Sequence, residues 1–144
     1  MKGYDPPAGH GDGPSIRDGW LRTGDLGALD EEGYLTVSGR LKEIIIRGGA
    51  NLSPGRIEEA ILRDPAVRGC SVVGAPDADL GEVPVAFVVT RDGASVPLRA
   101  IQERVLAELP RSHVPARVIV LDALPEIGIG KIDRAAFKRV AANA

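Results

Sequence analysis

Gly39 to Pro54 reads Gly-Arg-Leu-Lys-Glu-Ile-Ile-Ile-Arg-Gly-Gly-Ala-Asn-Leu-Ser-Pro, and this segment marks the start of the predicted folded domain. Its β-branched residues favour a short strand over residues 41–47. Gly48 and Gly49 then allow the backbone to take positive φ or to approach another group closely. Ser53 is a favourable N-cap and Pro54 a favourable first helical residue, so a helix is predicted to start there.

The charge of the 144-residue chain is nearly balanced, with 18 Lys and Arg against 20 Asp and Glu. A nucleic-acid-binding protein normally has a basic excess or a basic face, and the scarcity of aromatic residues argues against base stacking. No secretory signal is visible, and no segment approaches the ~20 apolar residues of a membrane span. Because the single Cys70 cannot form an internal disulfide, we expect a cytoplasmic protein.

The first 38 residues are expected to be part of something larger. Residues 1–19 are rich in Gly, Pro, Asp and His, a composition that predicts a loop or frayed tail. Residues 20–27 and 34–38, joined by a polar turn, predict a small hairpin. An isolated hairpin is only marginally stable in water, so we expect this part of the chain to need a packing partner.

Residues 39–144 predict a compact α+β domain, with a three-stranded sheet packed by helices plus a short β-hairpin. The three strands are predicted at residues 67–74, 83–90 and 118–121. The helices are predicted to start at Pro54, near Leu98 and near Asp133, and the first two to stop before Pro65 and at Pro110. We expect all of them on one side of the sheet.

Lys131 is the first candidate for chemistry, because it stands between a glycine-rich loop and a helix start, where an anion is favoured. The loop is not a Walker loop, since Pro125 and Ile132 occupy positions where that pattern needs Gly and Ser or Thr. Taken alone, a solvent-exposed loop lysine is the simpler interpretation.

Asp25 and Arg40 also have two interpretations each. The carboxylate of Asp25 suits the paired hydroxyls of a ribose, or the capping of its own turn. The guanidinium of Arg40 suits a phosphate, or the exposed end of a strand. His10 and His113 have no metal-ligand spacing, so no metal site is predicted.

Three motifs, taken together and in order, resemble the adenylate-forming (AMP-binding) enzyme family, which includes acyl-CoA synthetases, adenylation domains of peptide synthetases and firefly luciferase. The motifs are Trp20-Leu21-Arg22-Thr23-Gly24-Asp25, Gly39-Arg40-Leu41-Lys42 with Gly49 and Pro54, and Leu124-Pro125 ending in Gly130-Lys131-Ile132-Asp133-Arg134. The resemblance covers nearly the whole chain but only the last part of such an enzyme. It implies that residues 1–38 end the large AMP-binding domain and that residues 39–144 are the mobile C-terminal domain.

The resemblance implies a reaction in two steps, in which a carboxylic acid attacks the α-phosphate of ATP to give acyl-AMP, and the thiol of CoA then displaces AMP. Lys131 matches the lysine that bridges the carboxylate and the α-phosphate. Asp25 and Arg40 match residues that contact the nucleotide, and Lys42 matches the hinge about which the small domain rotates.

The same resemblance implies further contacts and partners. Gly48 and Gly49 are expected to line the pantetheine tunnel. The implied partners are the missing N-terminal domain, ATP, a carboxylic acid and CoA, with Mg²⁺ held by the missing domain; a second copy of the chain is another candidate. Because the phosphate loop, acid pocket and metal ligand belong to that domain, we expect the chain alone to be inactive. Two positions depart from the family pattern: Arg56 replaces a frequent Glu, and residues 127–129 are apolar where Thr or Ser is usual.

Other functions remain open on the sequence alone. The leading hypothesis is an acyl-CoA synthetase for a fatty or aromatic acid. An amino-acid adenylation domain serving a carrier protein is the alternative within the family, and a downstream carrier domain would favour it. Outside the family, the chain could be a non-catalytic binding module or an unrelated small α+β domain.

Overall fold

The computed structural model describes residues 15–91, 94, 96–127 and 130–143. Residues 1–14 of the loop predicted over residues 1–19, residues 92–93 of a predicted turn, and residues 128–129 lie outside the described residues. The rest of that loop prediction was wrong in part, because Ser15–Arg17 form a strand that pairs with residues 20–22. The chain divides into two compact units, Met1–Lys42 and Glu43–Ala144. The domain boundary predicted after residue 38 stays a prediction.

The smaller unit contains two antiparallel hairpins. β1 (Ser15–Arg17) pairs with β2 (Trp20–Arg22), and β3 (Asp25–Leu29) pairs with β4 (Leu35–Arg40). The predicted hairpin is therefore present as β3 and β4, but residues 20–22 pair upstream instead of joining it. The carboxylate of Asp30 accepts hydrogen bonds from the N–H groups of Glu32 and Tyr34, at 3.0 and 2.8 Å, and so fixes the turn.

No side chain described in the smaller unit is buried. Several large apolar side chains are exposed instead, namely Trp20, Leu29, Tyr34, Leu35 and Val37. Hairpins without a packed hydrophobic face are marginal in water, and this many exposed apolar side chains in a short segment is typical of a surface that another domain or molecule covers.

The larger unit is built around a long antiparallel pair, β7 (Val67–Asp77) and β8 (Gly81–Thr90). β9 (Arg117–Leu121) runs parallel to β8. The hairpin of β5 (Ile45–Arg47) and β6 (Ala50–Leu52) joins the same edge of β8 through the pairing of Arg47 with Gly81. The predicted three-stranded sheet and short hairpin thus form one five-stranded sheet, and the predicted α+β class is confirmed.

The helices pack on both faces of this sheet, so the expectation of helices on one side was wrong. α1 (Pro54–Leu62) and α2 (Leu98–Glu108) share one core with Val72 and Val88. α3 (Arg134–Asn143) covers the other face, where the rings of Phe137 and Phe87 lie 4.3 Å apart. The reason is the composition of β7 and β8, which are buried at successive positions and therefore need cover on both sides.

Two local predictions near the start of this unit met different outcomes. The strand predicted over residues 41–47 begins only at Ile45, and Leu41–Glu43 form a single 3-10 turn. The exposed side chains of Leu41 and Lys42 leave nothing for a sheet to bury at that point. Pro54 is the first residue of α1, as predicted, and Ser53 precedes it in an extended conformation without capping the helix through its side chain.

Candidate functional site

Asp25 and Arg40 are brought together by the hairpin of β3 and β4. They are direct cross-strand partners, and Nε of Arg40 lies 3.2 Å from Oδ1 of Asp25. The hydroxyl of Thr23 accepts a hydrogen bond from the N–H of Asp25 at 3.1 Å, which holds the start of β3. The side chain of Arg40 is 62% exposed and that of Asp25 is 36% exposed, so the ion pair contributes little to stability and both groups can be reached by a ligand.

Lys131 lies in a second small hairpin, formed by β10 (Glu126–Ile127) and β11 (Lys131–Ile132). Gly130 precedes it with φ of +71°, a backbone conformation that other residues adopt only with strain. The N–H of Asp133 donates to the carbonyl of Pro125 at 2.9 Å and closes the loop. The side chain of Lys131 is exposed at the end of this closed loop.

Gly48 and Gly49 form the turn between β5 and β6, with φ values of +54° and +81°. A β-carbon on Gly49 would meet no described heavy atom within 4 Å, whereas one on Gly48 would meet only a methyl group of Leu80 at 3.5 Å. The glycines are therefore required by backbone conformation and not by packing within the described part of the unit. The described residues leave the space beside Gly49 open.

Arg47 anchors this turn to a different part of the unit. Its guanidinium donates to the carbonyls of Ser112 at 2.6 Å and Val114 at 3.4 Å, in and just after the 3-10 turn Arg111–His113. The glycine turn between β5 and β6 is also held by the N–H of Gly48, which donates to the carbonyl of Leu80 at 2.7 Å. The backbone around Gly48 and Gly49 is thus fixed on two sides.

Cationic side chains lie near the same 3-10 turn. Partial burial and the positive charge of Arg56 lower the pKa of His113, while a backbone hydrogen bond to Pro110 opposes them. His113 is therefore neutral at pH 7, and its Nδ1 lies 3.2 Å from the hydroxyl of Ser112.

One partly buried charge cluster could not be foreseen from the motifs. Arg134 contacts Glu58 and Glu43, from two segments distant in sequence. Each residue stands within one of the three motifs or close to one, but no pattern in the sequence pairs residues separated by 76 positions. Among the described residues, no group of His, Cys, Asp and Glu is placed to hold a metal ion. In the same part of the chain, no helix has the length and apolar character needed to cross a bilayer.

The predicted site residues therefore fall into two sets. Asp25, Arg40 and Lys42 lie in the smaller unit, and Lys42 is exposed in the one-turn helix where that unit ends. The glycine turn and Lys131 lie in the larger unit. The structure joins Asp25 to Arg40 directly, and each other residue is positioned within its own unit.

Comparison with known proteins identifies the larger unit. Residues 56–131 match the family model described as "AMP-binding enzyme C-terminal domain". The chain is 41% identical over 140 residues to sulfoacetate–CoA ligase from Cupriavidus necator, covering 93% of this chain and 28% of that protein. It is 39% identical over 132 residues to medium/long-chain-fatty-acid–CoA ligase FadD8 from Mycobacterium tuberculosis, covering 86% of this chain and 23% of the relative.

A solved structure is similar over nearly the whole chain. It is o-succinylbenzoate CoA synthetase (MenE) from Bacillus subtilis in complex with the acyl-adenylate intermediate OSB-AMP, with a TM-score of 0.86 and 37% identity. The match covers 96% of this chain and 28% of that protein. The chain thus spans about a quarter of the length of the relatives that it matches.

Substitution at the glycine turn tests its backbone requirement. We expect Gly49→Ala to lower the free energy of unfolding by about 1–2 kcal/mol, because a β-carbon disfavours positive φ by that amount. Gly55→Ala is the matched control, since Gly55 lies in α1 without positive φ and a β-carbon there would meet only Oγ of Ser53 at 3.8 Å. That control should be neutral or stabilising by up to ~1 kcal/mol. Urea unfolding followed by circular dichroism measures both, and equal stability of the two variants would contradict the assignment.

Proposed function

Since the chain belongs to the family of AMP-binding enzyme C-terminal domains, we propose that it is the C-terminal part of an ATP-dependent acid–thiol ligase that forms an acyl-AMP and transfers the acyl group to CoA. The observation that carries the proposal is the accessible pair of Asp25 and Arg40 on one hairpin. One side chain offers two acceptors to ribose hydroxyls and the other offers a cationic fork to phosphate.

In the proposed first step, the carboxylate oxygen of the acid attacks the α-phosphorus of ATP, and pyrophosphate leaves. Negative charge accumulates where the two anions meet, and the ammonium group of Lys131 is proposed to lie between them. This placement of Lys131 is supported by its exposed side chain, on a loop closed by the hydrogen bond from the N–H of Asp133 to the carbonyl of Pro125. Mg²⁺, held by residues outside this chain, would offset the charge of the leaving pyrophosphate.

In the proposed second step, the sulfur of CoA attacks the acyl carbonyl and AMP leaves with the electron pair of the broken bond. The pantetheine arm is proposed to pass beside Gly48 and Gly49, where the described residues leave open space. A rotation at Lys42 would move the Lys131 loop out of the active site and bring the turn at Gly48 and Gly49 into it. Lys42 stands where the two compact units meet in sequence, in a short 3-10 turn that carries no buried residue.

The acid is proposed to be a fatty or aromatic carboxylic acid, as in two of the three similar proteins named above. The relatives named above act on sulfoacetate and on medium- and long-chain fatty acids, and the similar solved structure carries o-succinylbenzoyl-AMP. These acids share a carboxylate and little else. The acid-binding pocket is therefore proposed to lie in the rest of the enzyme, and the small domain to be indifferent to the acid.

Product analysis on the complete enzyme tests the reaction class. Given ATP, Mg²⁺, CoA and a panel of fatty and aromatic acids, we expect AMP and pyrophosphate in equal amounts, with an acyl-CoA detected by mass spectrometry. This chain alone, under the same conditions, is expected to release no pyrophosphate. Without the phosphate loop, acid pocket and metal ligand of the rest of the enzyme, Lys131 and Asp25 have no bound ATP and acid to orient. Formation of ADP and inorganic phosphate by the complete enzyme would contradict an adenylating mechanism.

The two half-reactions are expected to respond differently to Lys131 and Lys42. Lys131→Ala should slow acyl-AMP formation by about 100- to 1000-fold, since it removes one charge contact of the transition state. Thioester formation from preformed acyl-AMP should stay nearly normal. Lys42→Pro should do the reverse, because a fixed φ restricts the hinge and retains the adenylating arrangement.

Two variants control for these changes. Lys138→Ala removes another exposed lysine, from α3, and should leave both half-reactions intact. Lys42→Ala removes the charge but keeps backbone freedom, so it should affect thioester formation less than Lys42→Pro. Equal damage to both steps from Lys131→Ala would return that lysine to a structural role.

A further inference from the structure

Arg134, the first residue of α3, bonds to three separate segments of the larger unit. Its two terminal nitrogens donate to both carboxylate oxygens of Glu58 in α1, at 2.8 and 3.1 Å. One of them also donates to the carbonyl of Val72 at 3.0 Å, and Nε lies 3.3 Å from a carboxylate oxygen of Glu43. We call Arg134, Glu58, Glu43 and the backbone of Val72 the Arg134 cluster.

The cluster closes the open edge of the sheet. β7 has β8 on one side and no strand on the other among the described residues. On that open side, the N–H of Val72 donates to Glu58 at 2.8 Å while its carbonyl accepts from Arg134. Because α1 and α3 lie on opposite faces of the sheet, the Arg134–Glu58 pair connects them around this edge.

Burial makes the cluster sensitive to its geometry. The side chain of Glu58 is 14% exposed and that of Arg134 is 26% exposed. Burial lowers the pKa of Arg134, but the hydrogen bonds and charge of Glu58 and the charge of Glu43 outweigh it, so the pKa is raised and the guanidinium stays charged. Removal of the cation would leave two carboxylates, one of them well buried, without their shared partner.

Lys131 stands only three residues before Arg134, and the connection between them is tight. Asp133 donates through its N–H to Pro125 and accepts from the N–H of Ala136 at 2.9 Å through its carboxylate. The loop that carries Lys131 therefore ends on the first turn of α3, whose lateral position the Arg134 cluster fixes. Glu43, at the other end of the cluster, comes directly after the proposed hinge residue Lys42 in sequence.

We propose that Arg134 is a positioning residue for Lys131. Arg134 ties the loop that carries Lys131 to α1, to the edge of β7 and to Glu43, the residue after the hinge. A rotation at Lys42 then carries Lys131 as part of one rigid body. The role of Lys131 in this statement rests on the proposed function. Arg134 itself does not touch a substrate; it acts through the placement of the lysine. An error of about 1 Å in such a group can lower a rate by about 100-fold.

The structural half of the proposal is tested on the chain itself. We expect Arg134→Gln to raise the hydrogen-exchange rate of the amide of Asp133 while the amides of residues 85–89 stay protected. Cys70 gives a second readout, because its side chain is buried and a thiol reagent reaches it only when the structure around it opens. Its labelling by a thiol reagent should be faster in Arg134→Gln. Arg99→Gln breaks an ion pair with Glu103 at 2.8 Å on the exposed face of α2 and should change neither readout.

The functional half is tested on the complete enzyme. Arg134→Gln should lower the turnover rate of acyl-AMP formation by about 10- to 100-fold with little change in KM for ATP. Thioester formation from preformed acyl-AMP should be nearly unchanged. In a Lys131→Ala background, Arg134→Gln should cause little further loss, because the lysine through which it acts is gone. Arg134→Lys keeps the charge but not the two-pronged contact, and should recover only part of the rate.

Phe137→Leu distinguishes positioning from general instability. It weakens the packing of α3 one turn after Arg134 but keeps the Arg134 cluster. It should therefore lower the unfolding temperature, yet slow acyl-AMP formation much less than Arg134→Gln does. If Arg134→Gln does not fold, Arg134→Lys and Glu43→Gln take its place in every arm.

Three results would overturn the proposal: unchanged exchange at Asp133, equal loss in both half-reactions, or full additivity with Lys131→Ala. Absence of acyl-AMP formation in the wild-type enzyme would refute the proposed function instead, and the exchange and labelling arms would still decide whether Arg134 fixes the loop.

Discussion

The antiparallel pairing of β7 with β8 is the constraint on which the larger unit depends. Ten residue pairs, from Val67 with Thr90 to Asp77 with Gly81, hold two strands whose central residues are buried at successive positions. Burial of such a ribbon stabilises the fold only if both faces are covered, at roughly 25 cal/mol per Å² of apolar surface removed from water. This requirement places α1 and α2 on one face and α3 on the other, and it brings β9 and the β5–β6 hairpin to the free edge of β8.

The same pair of strands, β7 and β8, separates the two parts of the larger unit that are proposed to act in the reaction, the turn at Gly48 and Gly49 and the Lys131 loop. The glycine turn is held at one end, through the bond from Gly48 to Leu80. The segment leading into the Lys131 loop contacts the other end, where Leu124 lies 3.3 Å from the position of a β-carbon on Gly69. Gly69 and Asp77 are eight positions apart along β7, which corresponds to roughly 26 Å. Two half-reactions served from one small domain would need such a separation, since only one part can occupy an active site at a time.

Much of this could be predicted from local pattern. The strands at residues 67–74 and 83–90, the helix start at Pro54 and the glycine turn depend on propensities that act within a few residues. Helix placement could not be predicted, because the side of the sheet that α3 covers is set by long-range packing between Phe137 and Phe87. The Arg134–Glu58 pair was missed for the same reason. Asp25 and Arg40 were predicted separately, and only the register of β3 with β4 makes them neighbours.

Rotation at Lys42 is proposed to exchange two parts of one rigid domain between half-reactions, and this is the central claim. Distance measurement by double electron–electron resonance tests it most directly. Spin labels are placed on Glu31→Cys and Glu126→Cys, two exposed positions in different units. The complete enzyme is used, without other reactive cysteines. Cys70 can remain, because it is buried and its pKa is raised. We predict one label separation with ATP and a non-reactive acid analogue, and a clearly different one with an acyl-AMP analogue and CoA. A single, unchanged separation in both states would contradict the claim.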